Sequence, residues 1–279
     1  MNKRIWFITG ISSGLGAALA QAVLERGDFV IGTFRRADQT EAFNVRYGDR
    51  GLALTVDVTR PDEVDRAAQT VGDRFGRVDV LVNNAGFGFA GAAEETSENE
   101  LRKVFDTNFF GAVAVTRAFL PLLRRQGRGH ILQLSSHSGV KGFPGFGAYS
   151  ASKFALEGWS EALAAEVAPL GLRVTLLEPG PFRTRFAAEA FGEASQVIDA
   201  YAATAGAFRT RMKQVNGQQE GDPDKAARAI LALVDHEQPP LRLPLGRIAI
   251  GTIRAKLESV QADLTAWESV AAGAVFDAP

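Results

Sequence analysis

Of the three tyrosines in this chain, Tyr47, Tyr149 and Tyr201, only Tyr149 has a lysine four residues on, Lys153, and a serine thirteen residues back, Ser136. Residues four apart on a helix share a face, so the phenol and the ammonium are within reach of each other. A free tyrosine hydroxyl, with a pKa of about 10, is a poor base at neutral pH. A neighbouring cation favours its phenolate and so lowers that value. The chemistry offered is proton transfer to or from a reacting oxygen. Taken alone, a Tyr/Lys pair at this spacing is more often a solvated helix face, so its meaning depends on what accompanies it.

A second constellation lies near the start of the chain. Thr9-Gly10-Ile11-Ser12-Ser13-Gly14-Leu15-Gly16 follows a short apolar run and leads into Ala17-Ala18-Leu19-Ala20. Glycines there admit positive φ and let the backbone approach a pyrophosphate, and a helix start behind them offers free N–H groups and a favourable dipole. The context implies a dinucleotide site. The spacing is G-x-x-x-G-x-G, not G-x-G-x-x-G, and a tight strand-to-helix turn without ligand is the alternative. Twenty-four residues after Gly10, where an acidic residue would bind the adenosine ribose of NAD, stands Phe34, followed by Arg35 and Arg36. Guanidinium groups fork onto a 2′-phosphate, so NADP is the expected cofactor and NAD the second choice. Two surface arginines without that duty are the alternative. An oxidised nicotinamide would add a positive charge that also favours the Tyr149 phenolate.

These residues need a scaffold, and the chain supplies one. Short apolar runs at 5–8, 29–34, 52–56, 78–82, 131–134, 174–177 and 241–245 alternate with amphipathic segments at 17–26, 61–75, 98–124, 150–168 and 223–234. Runs without polar alternation suit strands buried on both faces, and strand alternating with helix implies right-handed crossovers in an open, doubly wound α/β sheet. The length of 279 residues allows one or two domains at roughly 150 residues each, and the unbroken rhythm reduces this to one, residues 1–279. The rhythm lapses over about 186–221, a stretch rich in Ala, Phe and Gly beside the expected crevice, and this is a candidate lid. Beyond it, 253–272 reads as a helix with apolar residues at Ile253, Leu257, Val260, Leu264 and Trp267. Packing on its own domain is the favoured expectation for that helix, and a subunit contact is the alternative.

Composition narrows the function. Hydrophobic residues make up 46%, and 31 basic side chains balance 32 acidic ones, which argues against a nucleic-acid partner. No apolar run approaches the ~18 residues of a membrane span, so a cytoplasmic protein is expected. There is no cysteine, and the three histidines lie far from any H-E-x-x-H spacing, so no metal is expected.

Three more motifs fall in order along the chain. Asn83-Asn84-Ala85-Gly86 follows the fourth expected strand, Tyr149-Ser150-Ala151-Ser152-Lys153 forms Y-x-x-x-K, and Pro179-Gly180-Pro181-Phe182-Arg183-Thr184 follows the sixth. With the glycine loop, these make residues 3–184 similar to the short-chain dehydrogenase/reductase family. The resemblance implies a Rossmann-type fold and an oxidoreductase that interconverts a carbonyl and an alcohol. It makes Tyr149 the general acid/base and Ser136 the hydrogen-bond donor to the reacting oxygen. Lys153 would act on Tyr149 and the nicotinamide ribose, and Asn108 in Asp106-Thr107-Asn108-Phe109 would support a water chain to Lys153. Ser135 adjoins Ser136, but neighbours on a strand face opposite ways, and the thirteen-residue spacing selects Ser136. Cofactor contacts carry over to Gly10, Ser12, Ser13, Gly14, Leu15 and Gly16 and to Arg35 and Arg36. Asp57, with Val58, matches the adenine contact, and Asn83, Ala85 and Gly86 the floor beside the adenosine ribose, with a bracing role in the sheet as the alternative for Asn83. Pro179, Gly180, Phe182 and Thr184 match the clamp on the nicotinamide carboxamide.

Departures begin after Thr184. Phe186, Phe191, Tyr201, Phe208 and Met212 from the lid candidate, with Phe87, Phe89, Phe143 and Phe146, imply a small apolar ketone, aldehyde or alcohol, steroid-like or retinoid-like. Lys141, Arg183, Arg185 and Arg209 keep an acidic substrate open. The helices at 101–124 and 150–168 resemble the family's dimer-forming pair, so a homodimer is expected, with a tetramer as the alternative. A catalytically silent regulatory protein and an isomerase or dehydratase of the same fold are the rival functions.

Overall fold

The computed structural model describes residues 3–186 and 190–276. Its first half runs β1 (Ile5–Ile8), α1 (Gly14–Glu25), β2 (Phe29–Phe34), α2 (Ala37–Tyr47), β3 (Gly51–Thr55) and α3 (Pro61–Phe75). There follow β4 (Val80–Asn83), β5 (Gly88–Ala90), α4 (Glu98–Phe105), α5 (Gly111–Gln126), β6 (Gly129–Leu134), α6 (Gly147–Val167) and β7 (Leu172–Pro179). The last part holds β8 (Phe191–Glu193), α7 (Ala207–Gln214), α8 (Pro223–Asp235), β9 (Arg242–Leu245) and α9 (Arg247–Ala272).

Strands pair in the order β3-β2-β1-β4-β6-β7-β9, and every pairing is parallel. The apolar runs read from the sequence are therefore one Rossmann-like sheet. β1 shows why the pattern works: all four residues are buried, with Trp6 and Ile8 facing one helical layer and Ile5 and Phe7 the other. Trp6 and Ile8 join Leu19 and Val23 of α1 and Ile230 of α8. Phe7 meets Phe119 of α5 at 4.4 Å between ring centroids, beside Val71 of α3 and Leu163 of α6. Each large apolar side chain buried this way contributes about 1.5–3 kcal/mol. The strand order reverses at β1 and β4, which opens a crevice beyond their C-terminal ends.

Local signals end the helices where expected. Pro61 opens α3 and Gly76 closes it with φ 67°. Ser97 and Glu100 form a reciprocal capping box at the start of α4.

Three differences from the sequence reading have physical causes. The expected helix over 98–124 is interrupted by a π-turn, Asp106–Phe110, whose extra residue turns Asn108 inward. β5 and β8, a parallel two-stranded sheet outside the main one, are three residues each and carry glycines, too short for a periodic signal. α2 buries only Phe43, so it has no apolar stripe to read.

Of the expected lid, residues 187–189 lie outside the described residues, and the remainder holds β8, two single turns and α7. The expectation that the tail helix packs on its own domain is corrected. α9 begins at Arg247 and is anchored through its first turns, where buried Ala249 packs on Gly180. Every residue from Leu257 to Phe276 is exposed. Among the described residues, no helix is long and apolar enough to cross a membrane.

Candidate active site

The crevice at the C-terminal ends of β1 and β4 continues into one cleft of ≈ 1220 Å³ that reaches the segment after β7 and the start of α9. Gly10, Ser12, Ser13, Gly14 and Leu15 form its floor. Gly10 (φ 69°) and Gly14 (φ 64°) adopt left-handed backbone that other residues rarely take. Ser13 makes no side-chain cap on α1 and no acidic residue stands in the first turn, so the amides there are available to a ligand. Gly16 does not reach the cleft. It lies inside α1, where a Cβ would meet Gly10 O at 2.6 Å, and its smallness lets the helix close onto the loop.

The Asn83-Asn84 pair divides its work. The Asn83 amide donates to Thr116 Oγ1 (2.7 Å) and Gln133 Oε1 (3.0 Å), fully inside the sheet, so Asn83 braces the core and is not part of the cleft floor. Asn84, which the sequence reading passed over, donates to Thr9 O (2.8 Å) and Gly10 O (2.9 Å) and holds the glycine loop in shape. The two arginines also separate. Arg35 lines the cleft beside Phe34, whereas Arg36 turns outward to Asp38 at 2.5 Å, drawn by the nearer charge. Asp57, Val58, Ala85, Gly86, Pro179, Gly180, Phe182 and Thr184 all line the cleft.

At the far end of this floor the proton-transfer candidates converge. Ser136 Oγ accepts from Ser138 N (3.1 Å), donates to Pro179 O (3.4 Å) and stands beside the Tyr149 hydroxyl. Ser135 points the other way, toward Glu157, as strand geometry requires. Lys153 Nζ donates to Leu134 O (2.7 Å) and lies 5.7 Å from the centre of the Tyr149 ring. Asn108 Oδ1 accepts from Phe87 N and its Nδ2 donates to Phe87 O, both at 2.9 Å, with a further bond to Ser152 Oγ at 3.2 Å. Asn108 is buried behind Gly86, where an added Cβ would sit 3.0 Å from Asn108 Oδ1 and 3.7 Å from Lys153 Nζ.

The electrostatics differ from expectation. Burial pushes Tyr149 up to about 12, and the neighbouring Ser136 hydroxyl acts in the opposite direction. Burial pushes Lys153 down to about 8, opposed by the charge of Glu157. In the protein without cofactor, desolvation thus outweighs the expected lowering of Tyr149 by its lysine. The hydroxyl is held in its protonated form.

Aromatic rings wall the outer end. Phe146 stacks on Tyr149 at 4.3 Å, Phe186 meets Tyr149 edge-on at 6.0 Å, and Phe208 and Phe191 pack on Phe146 at 4.9 and 5.9 Å. Phe87, Phe143 and Met212 also line the cleft. Phe89 is instead buried with Val104, and the Tyr201 hydroxyl donates to Glu94 on the surface. The basic candidates have other partners. Arg209 forms a buried pair with Glu95 at 2.6 Å, Arg183 donates to Gln219 O, Arg185 donates to Ser12 O, and Lys141 lies against Phe143. Residues that no local motif flags also line the cleft: His137 with Thr252 (3.3 Å apart), Ile248, Arg211 and Gln219, whose Oε1 is buried without a partner.

The residues present fit a nicotinamide dinucleotide. The available α1 amides suit its pyrophosphate, and the bare Gly86 leaves the space beside Lys153 open to it.

Comparison with known proteins points the same way. The short chain dehydrogenase family model matches residues 4–195. A 3-ketodihydrosphingosine reductase from Bacteroides thetaiotaomicron is 40% identical over 253 residues, 88% of this chain and 89% of that protein. A short-chain dehydrogenase from Streptomyces avermitilis is similar in structure with a TM-score of 0.92 and 45% identity, over 98% of this chain and 99% of that one. Another, from Burkholderia cenocepacia and solved in complex with NADP, has a TM-score of 0.74 and 26% identity, covering 94% and 96%. With a family match over most of the chain and the fold shared from end to end, this chain belongs to the short-chain dehydrogenase/reductase family of oxidoreductases.

Proposed function

We propose that this protein reduces the carbonyl group of an apolar ketone or aldehyde with NADPH, and oxidises the corresponding alcohol in reverse. The observation that carries the proposal is a protonated, buried Tyr149 hydroxyl, beside Ser136, at the inner end of an aromatic-walled cleft. Nicotinamide, when bound, supplies the hydride or accepts it. The chain's own residues manage the oxygen. Tyr149 donates its proton to the carbonyl oxygen as charge develops there, and the Ser136 hydroxyl hydrogen-bonds the same atom. The resulting Tyr149 phenolate is compensated by the Lys153 ammonium over its ring. Lys153 spends one N–H on Leu134 O and keeps two for ribose hydroxyls. Asn108 clamps the Phe87 backbone from both sides and so fixes the loop that faces Lys153.

Arg35 would pair a 2′-phosphate: it lines the cleft, and Phe34 stands where a carboxylate would prefer a free ribose hydroxyl. The aromatic wall favours an apolar substrate body. The similarity to a 3-ketodihydrosphingosine reductase is in keeping with that choice.

Consumption of NADPH should be followed with a panel running from long-chain ketones and aldehydes to charged keto acids. Turnover of apolar members, with larger kcat/KM for NADPH than for NADH, is the expected result. Tight NADPH binding without turnover of any carbonyl would sink the proposal in favour of a silent cofactor-binding protein.

A further inference from the structure

α9 carries a regular apolar seam, which leaves the domain from Leu257 onward. Ile250, Ile253, Leu257, Val260, Leu264, Trp267 and Ala271 alternate at spacings of three and four, which is the a/d pattern of a two-helix coiled coil. Among the described residues nothing covers the seam from Leu257 onward: Leu257 is 60% exposed, Leu264 61% and Trp267 66%, while Ile253 is half-buried at the domain. The segment from Arg254 to Ala272 spans roughly 28 Å of helix at 1.5 Å per residue.

The charges beside the seam are polarised along the helix. Arg247, Arg254 and Lys256 lie in its first half, and Asp263 and Glu268 in its second. A second copy laid parallel would set Asp263 of one helix beside Glu268 of the other, like charge on like. An antiparallel copy reverses that. In the register that stacks Leu257 on Val260, Ile253 on Leu264 and Ile250 on Trp267 of the copy, Lys256 faces Asp263 of the copy and Arg247 faces its Glu268. Each contact occurs twice about the two-fold axis, as an isologous interface requires. An anionic lipid surface matches less well, because from Arg254 to Ala272 the helix carries three acidic against two basic side chains, with Glu268 next to Trp267.

We infer that α9 is a dimerisation helix, pairing antiparallel with α9 of a second copy of this chain through the Ile250–Trp267 seam. This surface is distinct from the α5 and α6 faces expected to form the family's dimer, and it is independent of the catalytic proposal.

The test uses the full chain in sedimentation equilibrium or light scattering. Leu257→Asp with Leu264→Asp, both at exposed positions, should halve the wild-type mass while leaving the circular dichroism and NADPH binding unchanged. Lys256→Asp alone should weaken self-association at least tenfold, and adding Asp263→Lys should restore it. Because the chain has no cysteine, nitroxides at Ser259→Cys and at Ser269→Cys report orientation. Antiparallel pairing puts the second pair of labels roughly 20 Å farther apart than the first. A wild-type mass equal to that of the double aspartate variant, no recovery in the charge swap, or equal label distances would each overturn the inference. Binding of a monomeric wild-type chain to phosphatidylserine vesicles, lost in the double aspartate variant, would overturn it in favour of a membrane surface.

Discussion

The two ends of the cleft are built by different means. At the cofactor end, polar side chains bind backbone: Asn84 holds Thr9 O and Gly10 O, Asn108 holds Phe87, and Lys153 holds Leu134 O. Hydrogen bonds of this kind are directional, and a buried one left unmade costs about 1–3 kcal/mol, so the geometry tolerates little change. At the substrate end, rings pack on rings: Phe208 and Phe191 on Phe146, and Phe146 on Tyr149. Aromatic pairs are worth about 0.5–1.5 kcal/mol beyond their burial and accept a range of angles. In the proposed function one end would fix the reaction and the other would admit a class of shapes. Tyr149 belongs to both, since Lys153 Nζ lies over its ring and Phe146 stacks on it.

Substitutions can separate the two ends. Tyr149→Phe keeps the stacked ring and removes only the hydroxyl, so turnover should fall by about 10²–10⁴-fold while calorimetric NADPH affinity stays nearly unchanged. Loss of NADPH binding in that variant would mean that the hydroxyl serves structure and not chemistry. Arg35→Ala should weaken NADPH by about 10–100-fold and leave NADH almost untouched, the loss of a charged hydrogen bond. Equal effects on both cofactors would remove Arg35 from the phosphate contact.

Phe208→Ala acts at the other end alone. It should reduce kcat/KM for apolar carbonyl compounds by about tenfold, from a ring contact worth up to ~1.5 kcal/mol, with NADPH affinity intact. A matching loss of cofactor affinity would show that the two ends are not separable.

An effect on stability and not on turnover lies behind the site. Glu178 is buried, with Glu157 near it and Arg242 Nε 3.6 Å away, and desolvation followed by the charge of Glu157 pushes it up to about 7 from 4.5. A carboxyl raised in the folded state keeps its proton there while the unfolded chain loses it. The stability it contributes is therefore full below about pH 4.5 and is lost as pH rises toward 7, by at most about 1.4 kcal/mol per unit. Glu178→Gln should flatten the dependence of Tm on pH across that window. An unchanged slope would show that the carboxyl is ionised in the fold.

Much of this division was legible in residue order. The fully apolar run at β1, the glycine loop and the Y-x-x-x-K pair are local patterns, because strand burial, positive φ and i,i+4 proximity are set within a few residues. The reading failed where a partner distant in sequence decides. Asn83 and Asn84 are chemically identical and adjacent, and only the positions of Thr116, Gln133 and Thr9 assign one to the core and the other to the loop. Arg36 was indistinguishable from Arg35 until Asp38 drew it outward. Arg209 looked like a substrate counter-ion until Glu95 took it into a buried pair.

By itself the sequence determined the parallel sheet, the glycine loop and the candidate Tyr149/Lys153 pair, since each rests on spacing along one element. Only the tertiary structure decided that Asn108 turns inward through a π-turn, that Phe146 stacks on Tyr149, and that α9 leaves the domain with its seam uncovered. These depend on which surfaces meet across the fold, and burial, unlike periodicity, is a property of the whole packed chain.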